Sequence, residues 1–412
     1  MHALPDSPKF MSLRANLGWN FFGQLIAKGS LLLFHIVFAN LIGTSNYGTF
    51  SFIFVGGLIL LQPFLDLGLN QLITKWVSRG NVEVIPLSFR IKGLVTLLLI
   101  PLVCIISFWM GSNQILTFTM LCFFLINTVQ QSIFGILRGL QDLRPESLTV
   151  SFQNILACFI LIFFVVHQIA EVWVGSLILM VTRFTGAIFV SIIFWRKYNR
   201  QLKRNKNEKF VLDSSQLWRE SLTLGFTLFL IQFYFRIDSI MLGLLSSEIE
   251  LGLYSVAFNL MEGSFIIPTI VMSVIFPGLS NNKYFSKFFK RGLFFLTIAG
   301  IICGTVVFFL ADFMIYSFYE ESFRNSSEIL EILSLAIPLV FWGYLMTQSL
   351  VALDQNRIYL VITSSGLLIN VILNFLLIPE YGASGAAFST VVTEALIPLI
   401  CFLIILKYQF SK

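Results

Sequence analysis

Apolar runs follow one another along almost the whole chain, and short polar stretches between them hold most of its charge. A helix needs about 20 mostly apolar residues to cross the hydrocarbon core of a bilayer. Twelve runs reach that length: 17–42, 48–70, 93–111, 114–137, 147–167, 172–195, 217–245, 251–276, 292–315, 328–352, 358–379 and 384–406. Only Ser112 and Asn113 separate the third and fourth, which predicts a tight hairpin. Lipid offers the backbone no hydrogen-bond partner, so a run of this kind crosses as a helix. The pattern predicts an all-α integral membrane protein with about twelve transmembrane helices, arranged as two six-helix halves around a central cavity.

The division into halves rests on the most polar segment, 196–216, read as a linker between an N-terminal half, 1–195, and a C-terminal half, 217–412. Each half holds an even number of spans, so both enter the membrane from the same side and a parallel repeat is allowed. A sequence echo agrees: Gly48-Thr49-Phe50-Ser51 opens the second span and Gly252-Leu253-Tyr254-Ser255 the eighth, at an offset of 204 residues. Pro63 and Pro268 recur at nearly the same offset.

Basic residues give the orientation. Counted over the expected loops and tails, 23 of the 27 Lys and Arg fall on one side, Arg324 alone falls on the other, and the rest lie within spans. Positive loops stay in the cytoplasm, so both termini and the linker are expected there. Trp19, Trp76, Trp109, Trp173, Trp195 and Trp218 fall near span ends, as an interfacial belt requires. The first span is expected to serve as an uncleaved insertion signal.

Composition then excludes a soluble protein. The 412 residues are 57% hydrophobic and 12% charged, about half the charge of an ordinary soluble domain. The net charge of +6 would otherwise suggest nucleic acid, but the cations sit in loops where membrane topology accounts for them. Cys104, Cys122, Cys158, Cys303 and Cys401 all lie in apolar runs with no ligand spacing, and read as small hydrophobes. No Walker A loop, HExxH or GxSxG occurs, nor a polar domain large enough for an ATPase. No enzyme activity, cofactor or metal is expected. Transport would draw on an ion gradient, a substrate gradient or a partner.

The informative residues are charges inside spans, because a charged side chain at mid-membrane costs about 2.5–3.5 kcal/mol on insertion scales. They are Lys28, Arg183, Arg236, Asp238, Glu262 and Glu394. Lys28 and Arg183 lie about eleven residues into their spans, some 16 Å deep at the helical rise. Interhelical ion pairing would satisfy such charges, for example Lys28 with a glutamate. The reading adopted is a water-filled cavity in which Lys28, Arg183 and Arg236 bind an anionic substrate. Arginine grips phosphate as a fork and lysine as a point charge. Asp238, Glu262 and Glu394 then serve ion coupling or counter-charge. Asp66 reads as packing or capping, His35 as structural, His167 as interfacial, and Asn370 and Asn374 as interhelical hydrogen bonders.

Three groups of residues carry a family resemblance. The first is Asn40-Leu41-Ile42-Gly43 with Tyr47-Gly48 and Phe50-Ser51, then Pro63 and Asp66-Leu67-Gly68-Leu69. The second is Arg236 to Gly243 followed by Gly252 to Ala257. The third is Asn370 to Asn374, Ile378-Pro379 and Tyr381 to Ala387. Together they resemble the O-antigen repeat-unit flippases of the multidrug/oligosaccharidyl-lipid/polysaccharide superfamily. That resemblance implies translocation of an undecaprenyl-pyrophosphate-linked oligosaccharide across the bacterial inner membrane. It also implies a lipid-linked oligosaccharide as partner, together with a polysaccharide polymerase and chain-length machinery, and no nucleic acid. Twelve spans rather than fourteen separate it from the lipid II flippases. A multidrug extruder of the same fold would have a net acidic cavity. A polysaccharide polymerase or ligase would carry a large basic outer loop. A scaffold would not need charges at mid-depth.

Overall fold

In a computed structural model of the protein, residues 13–57, 61–109, 113–197, 214–280, 284–353 and 355–410 are described. They form helices α1 Leu13–Gly56, α2 Gln62–Asp66, α3 Leu69–Ser78, α4 Val84–Trp109, α5 Gln114–Gly139, α6 Arg144–Val166 and α7 Val172–Lys197. Then follow α8 Ser214–Leu245, α9 Glu248–Gly263, α10 Ile266–Leu279, α11 Phe285–Phe318, α12 Ser326–Ala352 and α13 Asn356–Phe410. No strand occurs among the described residues.

Ten helical stretches among the described residues are long and apolar enough to cross a membrane. Two of them, Phe22–Gly56 and Arg357–Lys407, run to 35 and 51 residues, more than one crossing needs. Each contains a glycine off helical geometry: Gly43 at φ 76° and Gly382 at φ 54°. Positive φ is cheap only for glycine, so these two residues are where the chain turns back. Divided there, the ten stretches among the described residues fall on all twelve predicted runs. Large apolar side chains stand open on the helices, Phe309 at 77% and Leu98 at 76% exposure. Apolar exposure on this scale is tolerated only where lipid covers it.

The chain divides into two compact units, Met1–Phe34 with Gly56–Phe229, and His35–Val55 with Leu230–Lys412. The second unit thus takes residues 35–55 of α1, and the first takes the start of α8. Most of the expected linker, residues 198–213, lies outside the described residues.

Three details depart from the hydrophobic pattern. Residues 69–78, read partly as span and partly as loop, form α3. Its Leu69, Leu72, Ile73, Trp76 and Val77 pack into the core of the first unit with Val84, Ile91, Ile136 and Leu217. Trp76 is therefore buried among these side chains. Finally, the third span begins near Val84, not at 93, so Arg90 and Lys92 are helical rather than loop residues.

Candidate functional site

In the second unit, three helical i, i+4 pairs meet. Residues four apart share a helix face: Tyr234 and Asp238 on α8, Asn370 and Asn374 on α13, and Thr390 and Glu394 further along α13. The Asp238 carboxylate is buried. It accepts hydrogen bonds from Asn374 Nδ2 at 2.5 Å, Thr390 Oγ1 at 2.8 Å and Tyr254 Oη at 3.1 Å. Asn374 Nδ2 also donates to Asn370 Oδ1 at 2.8 Å. Glu394 accepts from Tyr234 Oη at 2.8 Å. No basic side chain among the described residues forms an ion pair with either acid.

A small cavity opens between these groups, lined by Tyr234, Asp238, Asn370, Thr390, Thr393 and Glu394. Beside it, Asn374 Oδ1 is buried without a hydrogen-bond partner among the described residues. Two carboxylates, hydroxyl oxygens and an unused amide oxygen together form a set rich in acceptors and short of positive charge. Hard oxygen donors of this kind suit a small cation or a proton. No group of three or more His, Cys, Asp or Glu able to hold a metal ion occurs among the described residues.

The cations expected to bind substrate differ in their surroundings. Arg236, also on α8, donates from Nη2 to Glu262 Oε2 at 2.8 Å and stacks over the Phe258 ring at 5.1 Å. The ion pair weighed in the sequence thus exists for this residue. Arg183 on α7, in the first unit, has neutral partners: Nη1 reaches Gln130 Oε1 and Gln153 Oε1, each at 3.4 Å, and the guanidinium lies over Phe123 at 5.0 Å. Lys28 on α1 is exposed, and among the described residues no acid pairs with it. One helix serves both regions, since Gln153 of α6 bonds Arg183 while its neighbour Asn154 donates to Ala27 O at 2.7 Å.

A fourth membrane-level cation was hidden from the sequence. Lys92 is buried and donates to Asp66 Oδ1 at 2.8 Å, Asn70 Oδ1 at 2.7 Å and Ser132 Oγ at 2.7 Å. All three ammonium hydrogens are used, so it is not available to a ligand. Asp66 also accepts from Asn70 N at 3.3 Å, capping the first turn of α3. His35 bonds the Tyr47 hydroxyl at 3.0 Å, and His167 caps α6 through Phe163 O at 2.8 Å.

The class of protein follows from this arrangement: a polytopic helical membrane protein with partnered acids and cations inside its spans, as a transporter has. Solved structures share its fold. An outward-facing multidrug resistance MATE family transporter of the MOP superfamily matches with a TM-score of 0.72 at 15% identity, covering 97% of both chains. The lipid II flippase MurJ in an inward closed conformation matches at 0.69 and 16% identity, over 93% of this chain and 86% of that one. The chain belongs to the polysaccharide biosynthesis protein family, whose model matches residues 13–283; a MatE model matches residues 224–376. It is similar to the capsular polysaccharide biosynthesis protein CapF of Staphylococcus aureus, 21% identical over 92% of this chain and 96% of that protein. It is also similar to "Probable flippase AglR" of Haloferax volcanii, 30% identical over 40% of this chain and 36% of that one.

Proposed function

We propose that this protein flips an undecaprenyl-pyrophosphate-linked oligosaccharide, an O-antigen or similar repeat unit, from the inner to the outer leaflet of the bacterial cytoplasmic membrane. The observation that carries the reading is Arg183. It is a cation within a span whose polar contacts are two glutamine oxygens at 3.4 Å, so its charge is left for a ligand. Arg236 and Lys28 supply further positive charge on α8 and α1. A pyrophosphate takes up such charges through several oxygens at once. The polysaccharide family model, the flippase AglR and the capsular protein CapF support the substrate class. Asp238 and Glu394 form the coupling site: a cation or proton bound there would be released down its gradient as the sugar headgroup crosses. Both termini and the 196–216 linker would lie in the cytoplasm.

Deleting the gene and measuring lipid-linked sugars by mass spectrometry tests the reading. Repeat-unit lipids should accumulate and fall again on complementation, while surface polysaccharide disappears and returns. The MatE match over 224–376 and the acids in that stretch favour a second reading, a multidrug/ion antiporter. On that reading the deletion strain becomes sensitive to cationic dyes and its lipid-linked sugars do not change. A polymerase or ligase would instead leave single repeat units on the outer leaflet.

A further inference from the structure

We propose that Glu262 sets a charge threshold at Arg236: its carboxylate occupies the guanidinium and gives way only to a headgroup with more than one negative charge. The inference rests on the flippase reading above and names the specificity device of its anion site.

The two partners of this ion pair are unequally held. Arg236 is 18% exposed and Glu262 41%. Arg236 is flanked on α8 by the buried residues Ile237 and Asp238, and its plane rests on Phe258. Glu262 stands in the last turn of α9, which ends at Gly263. Among the described residues the Arg236 bond at 2.8 Å is the side-chain hydrogen bond that holds the Glu262 carboxylate in place. The chain also leaves room beside it. A side chain at Gly263 would meet nothing within 4 Å, and α9 gives way to α10 through Ser264 and Phe265. One turn back on α9, Asn259 is fixed to the Tyr47 hydroxyl at 3.0 Å, so this face is firm while its end is open.

The guanidinium has five donors, and among the described residues one bond to Glu262 is made. A headgroup arriving at Arg236 must therefore compete with a tethered monoanion that is always present at high effective concentration. Bilayer phospholipids present a phosphodiester with a single negative charge. Such a group gains no charge advantage over the carboxylate and carries the entropy cost of docking. A pyrophosphate-linked lipid brings at least two charges and several acceptor oxygens. It can bridge the fork bidentately and repel the glutamate into the open side. Discrimination then comes from the penalty set against the wrong ligand, and a site facing a vast excess of phospholipid stays clear of it. Arg183, which has no carboxylate partner among the described residues, would add affinity without this selectivity.

The test uses full-length protein in neutral-lipid nanodiscs and two probes, a polyprenyl pyrophosphate and phosphatidylglycerol, with binding read by native mass spectrometry. Wild type should favour the pyrophosphate by about tenfold or more, and Glu262→Gln should bind both lipids more tightly while that ratio falls severalfold. Glu262→Asp should keep the ratio. Arg236→Gln should lose the preference, and because it strands a charge, Arg236→Gln with Glu262→Gln is measured beside it with the same expectation. An unchanged ratio in Glu262→Gln, or weaker pyrophosphate binding, overturns the threshold while leaving the flippase reading in place. Wild type that binds phosphatidylglycerol and ignores polyprenyl pyrophosphate overturns both.

Discussion

Gly48 and Gly252 face each other backbone to backbone in the second unit. A Cβ added at Gly48 would fall on the carbonyl oxygen of Glu248, and one at Gly252 on that of Thr44. The contact is reciprocal, and both pairs of residues carry the 204-residue offset seen in the sequence, 44 with 248 and 48 with 252. The echoed segments are thus paired across a local two-fold relationship. Two turns of chain are pinned at the same place: Glu248 accepts from Ser45 Oγ at 3.2 Å just past Gly43, and Glu250 accepts from Ala383 N at 2.7 Å just past Gly382. In lipid, small residues let helices approach until their backbones touch.

The crossing should therefore tolerate no side chain. Gly48→Val and Gly252→Val each overpack it, at a cost of about 1–3 kcal/mol or more. Thermal unfolding of the purified protein in detergent should show both variants clearly destabilised. Gly29→Val is the control, since a Cβ at Gly29 meets nothing within 4 Å, and it should unfold with wild type. Equal stability for all three would refute the close approach.

The Asp66–Lys92 pair offers a second stability measurement. Both groups are buried, and removing one partner of a buried pair leaves the other uncompensated, typically costing about 3–5 kcal/mol. Lys92→Met should thus lower the unfolding temperature strongly. Asp66→Asn combined with Lys92→Met should recover part of that loss, because no bare charge remains. A double variant worse than the sum of the single losses would show that the pair does not act as a unit.

These two sites mark what the sequence could and could not reveal. The membrane-spanning helices were legible because lipid forces each crossing to be a run of about 20 apolar residues. The turns at Gly43 and Gly382 lay between runs in the hydrophobic pattern. Helix α3 was not legible: its ten residues mix polar Asn70, Gln71, Thr74 and Lys75 with its buried face, so a window sized for a membrane crossing reads them as span end and loop. Lys92 was lost for the same reason. It sits near the start of α4, and a lysine near a span end normally reaches water; only tertiary contact with Asp66, 26 residues earlier, shows that it does not. Asp238 and Glu394 were legible as misplaced charges, and Asn370 with Asn374 as a polar face. That Asn374 of the last helix meets Asp238 is a relation over 136 residues, which no local pattern contains.

Arg183 separates charge from geometry. Its partners are neutral, so Arg183→Gln should leave the fold nearly intact and abolish complementation of surface polysaccharide, read beside membrane protein levels. Arg183→Lys keeps the charge without the fork. Partial activity in that variant shows that charge dominates, and none shows that bidentate binding does. Full activity in Arg183→Gln would remove this residue from the substrate site.

Asp238 provides the sharpest test of ion coupling. Its carboxylate is buried and accepts three hydrogen bonds from neutral groups, with Asn374 Oδ1 unpartnered nearby. If the cluster were only structural glue, Asp238→Asn would be mild: the amide is isosteric and Tyr254 and Thr390 can rotate their hydroxyls to suit it. If the cluster holds a cation or a titrating proton, the same change removes the charge that binds it while leaving the shape alone. In proteoliposomes, accumulation of headgroup on one side under an imposed sodium or proton gradient should then fall to background in Asp238→Asn. Exchange between equal pools, which needs no driving force, should persist. Glu394→Gln should show the same split more weakly, since Glu394 accepts one bond, from Tyr234, and lies beside rather than within the three-donor set. Both measurements are made on one preparation, so a misfolded variant loses both and is distinguished at once. Gradient-driven accumulation that survives in Asp238→Asn would show that the acid holds helices together and that the driving ion binds elsewhere.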